Sequence, residues 1–147
     1  MSDLRDLYQE VIFDHNRNPR NNHRLDDANH HADGNNPLCG DQITVYAKVK
    51  DNIIEDVSFE AHGCAISTAS ASLMTQALKG KTTAEAAAMF EDFHRMATGE
   101  SNASERLGKL AVLEGVREYP ARVKCATLAW HTLHAALEES TDTVTTE

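Results

Sequence analysis

The chain has 147 residues, 41% of them apolar, and a formal net charge of −9. That length suits one domain able to bury an ordinary core without disulfides. The acidic balance argues against a nucleic-acid or anionic-membrane partner, both of which demand a basic face, and favours a partner with a basic docking surface.

Leu4, Leu7, Tyr8, Val11 and Ile12 recur at spacings of three and four, which predicts an opening amphipathic helix that ends before Pro19. Asn18 to Pro37 is rich in Asn, Asp and His and reads as a long loop with room for a short strand. A β-hairpin follows. Ile43, Val45, Ala47 and Val49 alternate with Thr44, Tyr46, Lys48 and Lys50, Asp51-Asn52 supplies the turn, and Val57, Phe59 and Ala61 share one face of the return strand. Beyond Cys64 the pattern is helical. One helix runs from Ala65 to Leu78 and closes at Gly80. A second, Ala84 to Met96, is capped by Thr82 or Thr83. A break at Thr98 to Ala103 precedes a helix capped by Ser104 and carrying Leu107, Leu110, Val112 and Leu113. Pro120 opens the last helix, with Ala126, Leu128, Ala129, Leu133 and Leu137 on its buried side. Residues 1–137 are expected to form a single domain, an α+β sandwich with a small antiparallel β-sheet packed by helices. The acidic, Thr-rich tail, residues 138–147, is expected to be disordered.

The chemistry concentrates in three cysteines, Cys39, Cys64 and Cys125. An odd number, none close in sequence, is no disulfide framework. No apolar signal core opens the chain and no run of about 18 apolar residues could span a bilayer, so we expect no membrane partner and a cytoplasmic setting with reduced thiols. Asp41, two residues after Cys39, offers a fourth ligand, and three thiolates with a carboxylate suit tetrahedral zinc. Residues i and i+2 of a strand point the same way, so Cys39 and Asp41 can face one ion. The hairpin returns Cys64 to the start of its partner strand, near Cys39. Cys125 falls in the opening turns of the last helix, and helix starts favour a thiolate. The spacing matches no zinc-finger pattern, and buried cysteine often simply packs. His30, His31 and His62 stand as alternative ligands. Lys124 adjoins Cys125, Arg122 lies three residues before it, and both are candidates to balance the charge of the site. Cys39, between Pro37-Leu38 and Gly40, has the backbone best able to move, so it is the expected reactive thiol.

With Asn18-Pro19-Arg20-Asn21, Asn36-Pro37-Leu38-Cys39-Gly40-Asp41, Ile53-Ile54-Glu55-Asp56-Val57-Ser58-Phe59, Gly63-Cys64-Ala65-Ile66-Ser67 and the Ala-rich helix after the last cysteine, the chain resembles the NifU-like iron–sulfur assembly proteins from about Leu4 to Leu137. Scaffold members of the IscU branch usually carry His before the third cysteine. Here that position is Lys124, and an extra helical stretch lies around Thr98 to Tyr119. Both features resemble the SufU branch. That resemblance implies a SufE/NifU-like fold, zinc at Cys39, Asp41, Cys64 and Cys125, and sulfur accepted on Cys39 from a SufS-type cysteine desulfurase that uses pyridoxal phosphate. It also implies delivery onward to a SufBCD-type assembly scaffold. In the related scaffold branch the third cysteine, here Cys125, is often the acceptor. Two rival readings remain: an IscU-like scaffold that binds iron or a [2Fe–2S] cluster, and a non-catalytic module with a purely structural zinc.

Overall fold

The computed structural model describes residues 2–37, 40–102, 105–138 and 144–145; within the first helix, side chains are described from Gln9 onward. The elements run α1 (Ser2–Arg17), β1 (His30–Asn36), β2 (Asp41–Lys50), β3 (Ile53–His62), α2 (Ala65–Leu78), α3 (Thr83–Thr98), a 3₁₀ segment (Glu105–Glu118), α4 (Pro120–Leu137) and β4 (Val144–Thr145). The sheet order is β3-β2-β1-β4. β1, β2 and β3 pair antiparallel, and β4 adds a two-residue parallel contact to Gly34 and Asn35. This is the expected α+β class. No helix among the described residues is long and apolar enough to cross a membrane.

Local chemistry explains most boundaries. Asp51 and Asn52 both have positive φ, 53° and 65°, the left-handed pair that turns a two-residue hairpin. α2 spans Ala65–Leu78 as expected. Thr82 caps α3 in a reciprocal box with Glu85, and Gly99 closes the helix at φ 88°. Pro120 takes the first turn of α4. The segment after residue 104 departs from expectation: it is 3₁₀ rather than α, and Gly108 interrupts it with non-helical angles (φ 54°, ψ −124°). The cap expected at Ser104 lies outside the described residues, as does most of the acidic tail.

β1 is the short strand for which the Asn18–Pro37 segment left room, here placed at His30–Asn36. Only Ala32 in His30–Asn36 is a conventional core residue, so apolar periodicity cannot reveal the strand. Its inward positions are instead small or polar: Ala32, Gly34 and Asn36. A Cβ on Gly34 would overlap the Thr132 hydroxyl and come within 3.2 Å of Leu128. Small residues therefore let α4 lie close over β1. The loop after α1 covers the outer edge of β3, where the Phe59 N–H donates to the Asn21 carbonyl at 2.9 Å. Val45, Val57 and Phe59 of the sheet, Met74 of α2, Phe93 of α3, Leu113 of the 3₁₀ segment and Leu128 of α4 share one core, each at 0% exposure.

Candidate metal centre

Strand register builds the site. Asn36, the last residue of β1, pairs with Asp41, the first of β2. Gln42 pairs with His62 at the end of β3, which brings the chain back beside Asp41. Gly63 and Cys64 then lead into α2. The Asp41 Oδ1 accepts a hydrogen bond from the Cys64 backbone N–H at 2.8 Å. A Cβ on Gly63 would overlap that oxygen and stand 2.9 Å from Asp41 Cγ and 3.0 Å from its Cα. Only glycine permits this approach. Cys64 is the N-cap of α2, its sulfur accepting from the Ser67 N–H at 3.4 Å. Cys125 comes from the second turn of α4, and its helix is pinned to α2 where the Ser70 hydroxyl donates to the Ala126 carbonyl at 2.5 Å.

The outcome is a close set of donors. One ligand atom each from Asp41, Cys64 and Cys125 lies within 4.8 Å of the others. Asp41 and Cys125 are 1% exposed, and Cys64 is half-buried. Asp41 Oδ2 sits 3.9 Å from Cys64 Sγ, while Oδ1 is committed to the backbone, so one carboxylate oxygen faces the cluster. Tetrahedral zinc with bonds of about 2.0–2.3 Å sets neighbouring ligand atoms about 3.3–3.8 Å apart. The donor chemistry fits, and a modest contraction gives that spacing. A buried carboxylate without an ion-pair partner among the described residues is costly, and a cation between the three groups removes that cost. The Cys64 thiol is drawn down to about 7, chiefly by a hydrogen bond from Cys125. Burial opposes this, the N–H groups of Ser67 and Ile66 add to it, and the charge of Asp41 resists it.

Of the residues marked out by sequence, Asp41, Cys64 and Cys125 come together; Cys39 lies outside the described residues. The flanking residues Asn36 and Asp41 both line the site. No histidine joins the donor set among the described residues. His30 Nδ1 lies 3.0 Å from the Ala136 carbonyl, and His31 and His62 are exposed. Arg122 is exposed, its guanidinium 5.4 Å over the Tyr119 ring, and Lys124 is half-buried. Two contributors have no role in the sequence reading, although both lie in the motifs that carry the resemblance: Gly63, through its closeness to Asp41, and Asn36. Asn36 is 0% exposed, and its Nδ2 lies 3.4 Å from Asp41 Oδ2 and 3.5 Å from Cys125 Sγ.

Fold and site thus define a small α+β protein in which two cysteines and an aspartate that could hold a metal ion converge at one end of the sheet. The chain belongs to the NifU-like N terminal domain family, which matches residues 7–126. It is 48% identical over 133 residues to the zinc-dependent sulfurtransferase SufU of Bacillus subtilis, covering 90% of each chain. It is 42% identical over 141 residues to the iron–sulfur cluster assembly scaffold protein IscU of Streptococcus pyogenes, covering 95% of this chain and 88% of that one. Among solved structures, a protein from Fervidobacterium islandicum described as an iron–sulfur cluster assembly scaffold for the SUF system superposes with a TM-score of 0.84. That match is at 37% identity and covers 89% of this chain and 96% of the other.

Proposed function

We propose that this chain is a zinc-dependent sulfur-transfer protein for iron–sulfur cluster assembly, working in the cytoplasm with a SufS-type cysteine desulfurase. The observation that carries the reading is the convergence of Asp41, Cys64 and Cys125 within 4.8 Å. Its similarity to a zinc-dependent sulfurtransferase supports the same conclusion. Cys39, two residues before Asp41, is assigned as the fourth ligand and the sulfur acceptor. When bound, zinc would keep the thiols ionised and shielded from stray oxidation.

The chain's own residues then divide the work. Asp41 is held by the Cys64 N–H, Cys64 by the Ser67 N–H, and Cys125 by a buried helix. Those three form the fixed wall of the site. The Cys39 thiolate attacks the outer sulfur of the desulfurase persulfide. A new S–S bond forms on Cys39, the old S–S bond breaks, and the desulfurase cysteine leaves as a thiolate. The exchange is redox-neutral and needs no further reactant. Onward transfer to a SufBCD-type scaffold follows by the same chemistry. Arg122 and Lys124 remain candidates to offset the site's negative charge.

The scaffold reading has support in the IscU relatives, since the same thiolates suit iron. Anaerobic incubation with iron and sulfide separates the two. Sulfur transfer predicts retained zinc, no cluster absorbance and stimulation of the desulfurase. A stable [2Fe–2S] spectrum without stimulation would favour the scaffold.

A further inference from the structure

Asn36 has no role in the reading above, yet it is the most enclosed polar side chain at the site. It reaches the cluster from β1, the strand that apolar patterning does not reveal. Its Nδ2 faces two acceptors at once, Asp41 Oδ2 at 3.4 Å and Cys125 Sγ at 3.5 Å. The first is a long hydrogen bond, and the second is ordinary for the larger sulfur acceptor. The chemistry fixes which end of the amide faces inward. A carboxylate and a thiolate are both acceptors, and only the NH₂ group, with two hydrogens, can serve the pair. The Oδ1 atom is buried and has no partner among the described residues. Leaving a buried acceptor in that state is unfavourable, so the amide is held by what its nitrogen does.

We propose that Asn36 is a positioning residue for the metal centre, its single NH₂ group tying the Asp41 carboxylate to the Cys125 thiolate. This rests on the zinc reading above. Asn36 touches two of the proposed ligands and is not one itself, because its inward atom is a nitrogen that carries hydrogens. Together with the Cys64 N–H, it fixes Asp41 so that one oxygen points into the cluster. With Asp41 and Cys125 joined in this way, opening of the site falls to the ligands Asn36 does not touch. Outer partners of this kind typically govern metal retention by about 10–100-fold.

The test compares zinc-loaded native protein with Asn36→Ala and Asn36→Asp. Asn36→Asp keeps the shape and replaces the donor with a negative oxygen facing the Asp41 carboxylate and the Cys125 sulfur. Zinc release into a chromogenic chelator should accelerate about 10–100-fold in Asn36→Ala and further in Asn36→Asp. The cobalt-substituted proteins should show altered thiolate-to-metal absorption. A merely structural role would lower the unfolding midpoint of the metal-free chain and leave both release rate and cobalt spectrum at native values; that result overturns the proposal. If neither variant folds, the native chain still decides. Loaded with ¹¹³Cd, it should show through-hydrogen-bond coupling between the metal and an Asn36 side-chain amide proton, and absence of that coupling overturns the assignment. Native protein that holds no zinc would sink the zinc reading and this inference together, whereas tight native zinc with unaffected variants would sink the inference alone.

Discussion

Replacing Gly63 with alanine tests the packing that orients Asp41. The new Cβ would overlap Asp41 Oδ1 and stand 3.0 Å from the Asp41 Cα. The oxygen belongs to a side chain and can swing away, but the Cα is backbone at the start of β2. Relief therefore requires moving Asp41 or shifting the strand end, at an overpacking cost of about 1–3 kcal/mol. Swinging the carboxylate also breaks its 2.8 Å bond from the Cys64 N–H, a charge-assisted contact worth about 1.5–3 kcal/mol. The two costs are alternatives in part, so we expect a loss of about 3 kcal/mol in the metal-free chain, or about 6–12 °C in melting temperature for a protein of this size. Calorimetry measures that loss, and zinc release into a chelator measures the misplaced ligand. A Gly63→Ala protein with native melting temperature and native zinc release would refute the argument that glycine is required there.

Asp41→Ala should fold and lose zinc faster by on the order of tenfold or more, since a ligand is removed and water enters in its place; unchanged exchange kinetics would remove Asp41 from the ligand set. The metal-free chain should also show a pH-dependent stability traceable to Cys64. Its thiol ionises at about 7 in the fold against an ordinary 9.0, so its contribution is complete above about 9 and disappears as pH falls through about 7. Urea midpoints measured between pH 6 and 9 should rise with pH, and Cys64→Ser should flatten that rise. Thr82→Ala, which removes the capping box of α3, should cost about 1 kcal/mol in urea unfolding while zinc retention stays native, because the cap is remote from the cluster.

Much of this arrangement is legible in the chain itself, because its signals are local. Alternation from Ile43 to Lys50 and the Asp51-Asn52 turn mark the hairpin, and the hairpin's antiparallel return is what brings Cys64 to Asp41. Pro120 marks the start of the helix that delivers Cys125. The less legible parts depend on close approach between distant segments. Gly34 and Ala32 make β1 a buried strand only because α4 lies over it, and no periodicity within His30–Asn36 foretells that. Asn36 falls in the segment read as a loop, and its part in the site is seen only once its register with Asp41 is known. Gly63 is only a neighbour of Cys64 in the sequence until the Asp41 carboxylate is found where its side chain would be. The 3₁₀ geometry after residue 104 is hidden for a local reason: Leu107, Leu110 and Leu113 repeat every third residue, a spacing shared by α and 3₁₀ turns.

The central claim, sulfur accepted on a thiol of a zinc site, is met most directly by mapping the persulfide. Zinc-loaded protein is incubated briefly with a SufS-type desulfurase and cysteine, trapped with an alkylating agent, digested and read by mass spectrometry. The account predicts one added sulfur on Cys39, and loss of desulfurase stimulation in Cys39→Ser. Sulfur on Cys125 or Cys64 with none on Cys39, or no added sulfur on any cysteine, would contradict it.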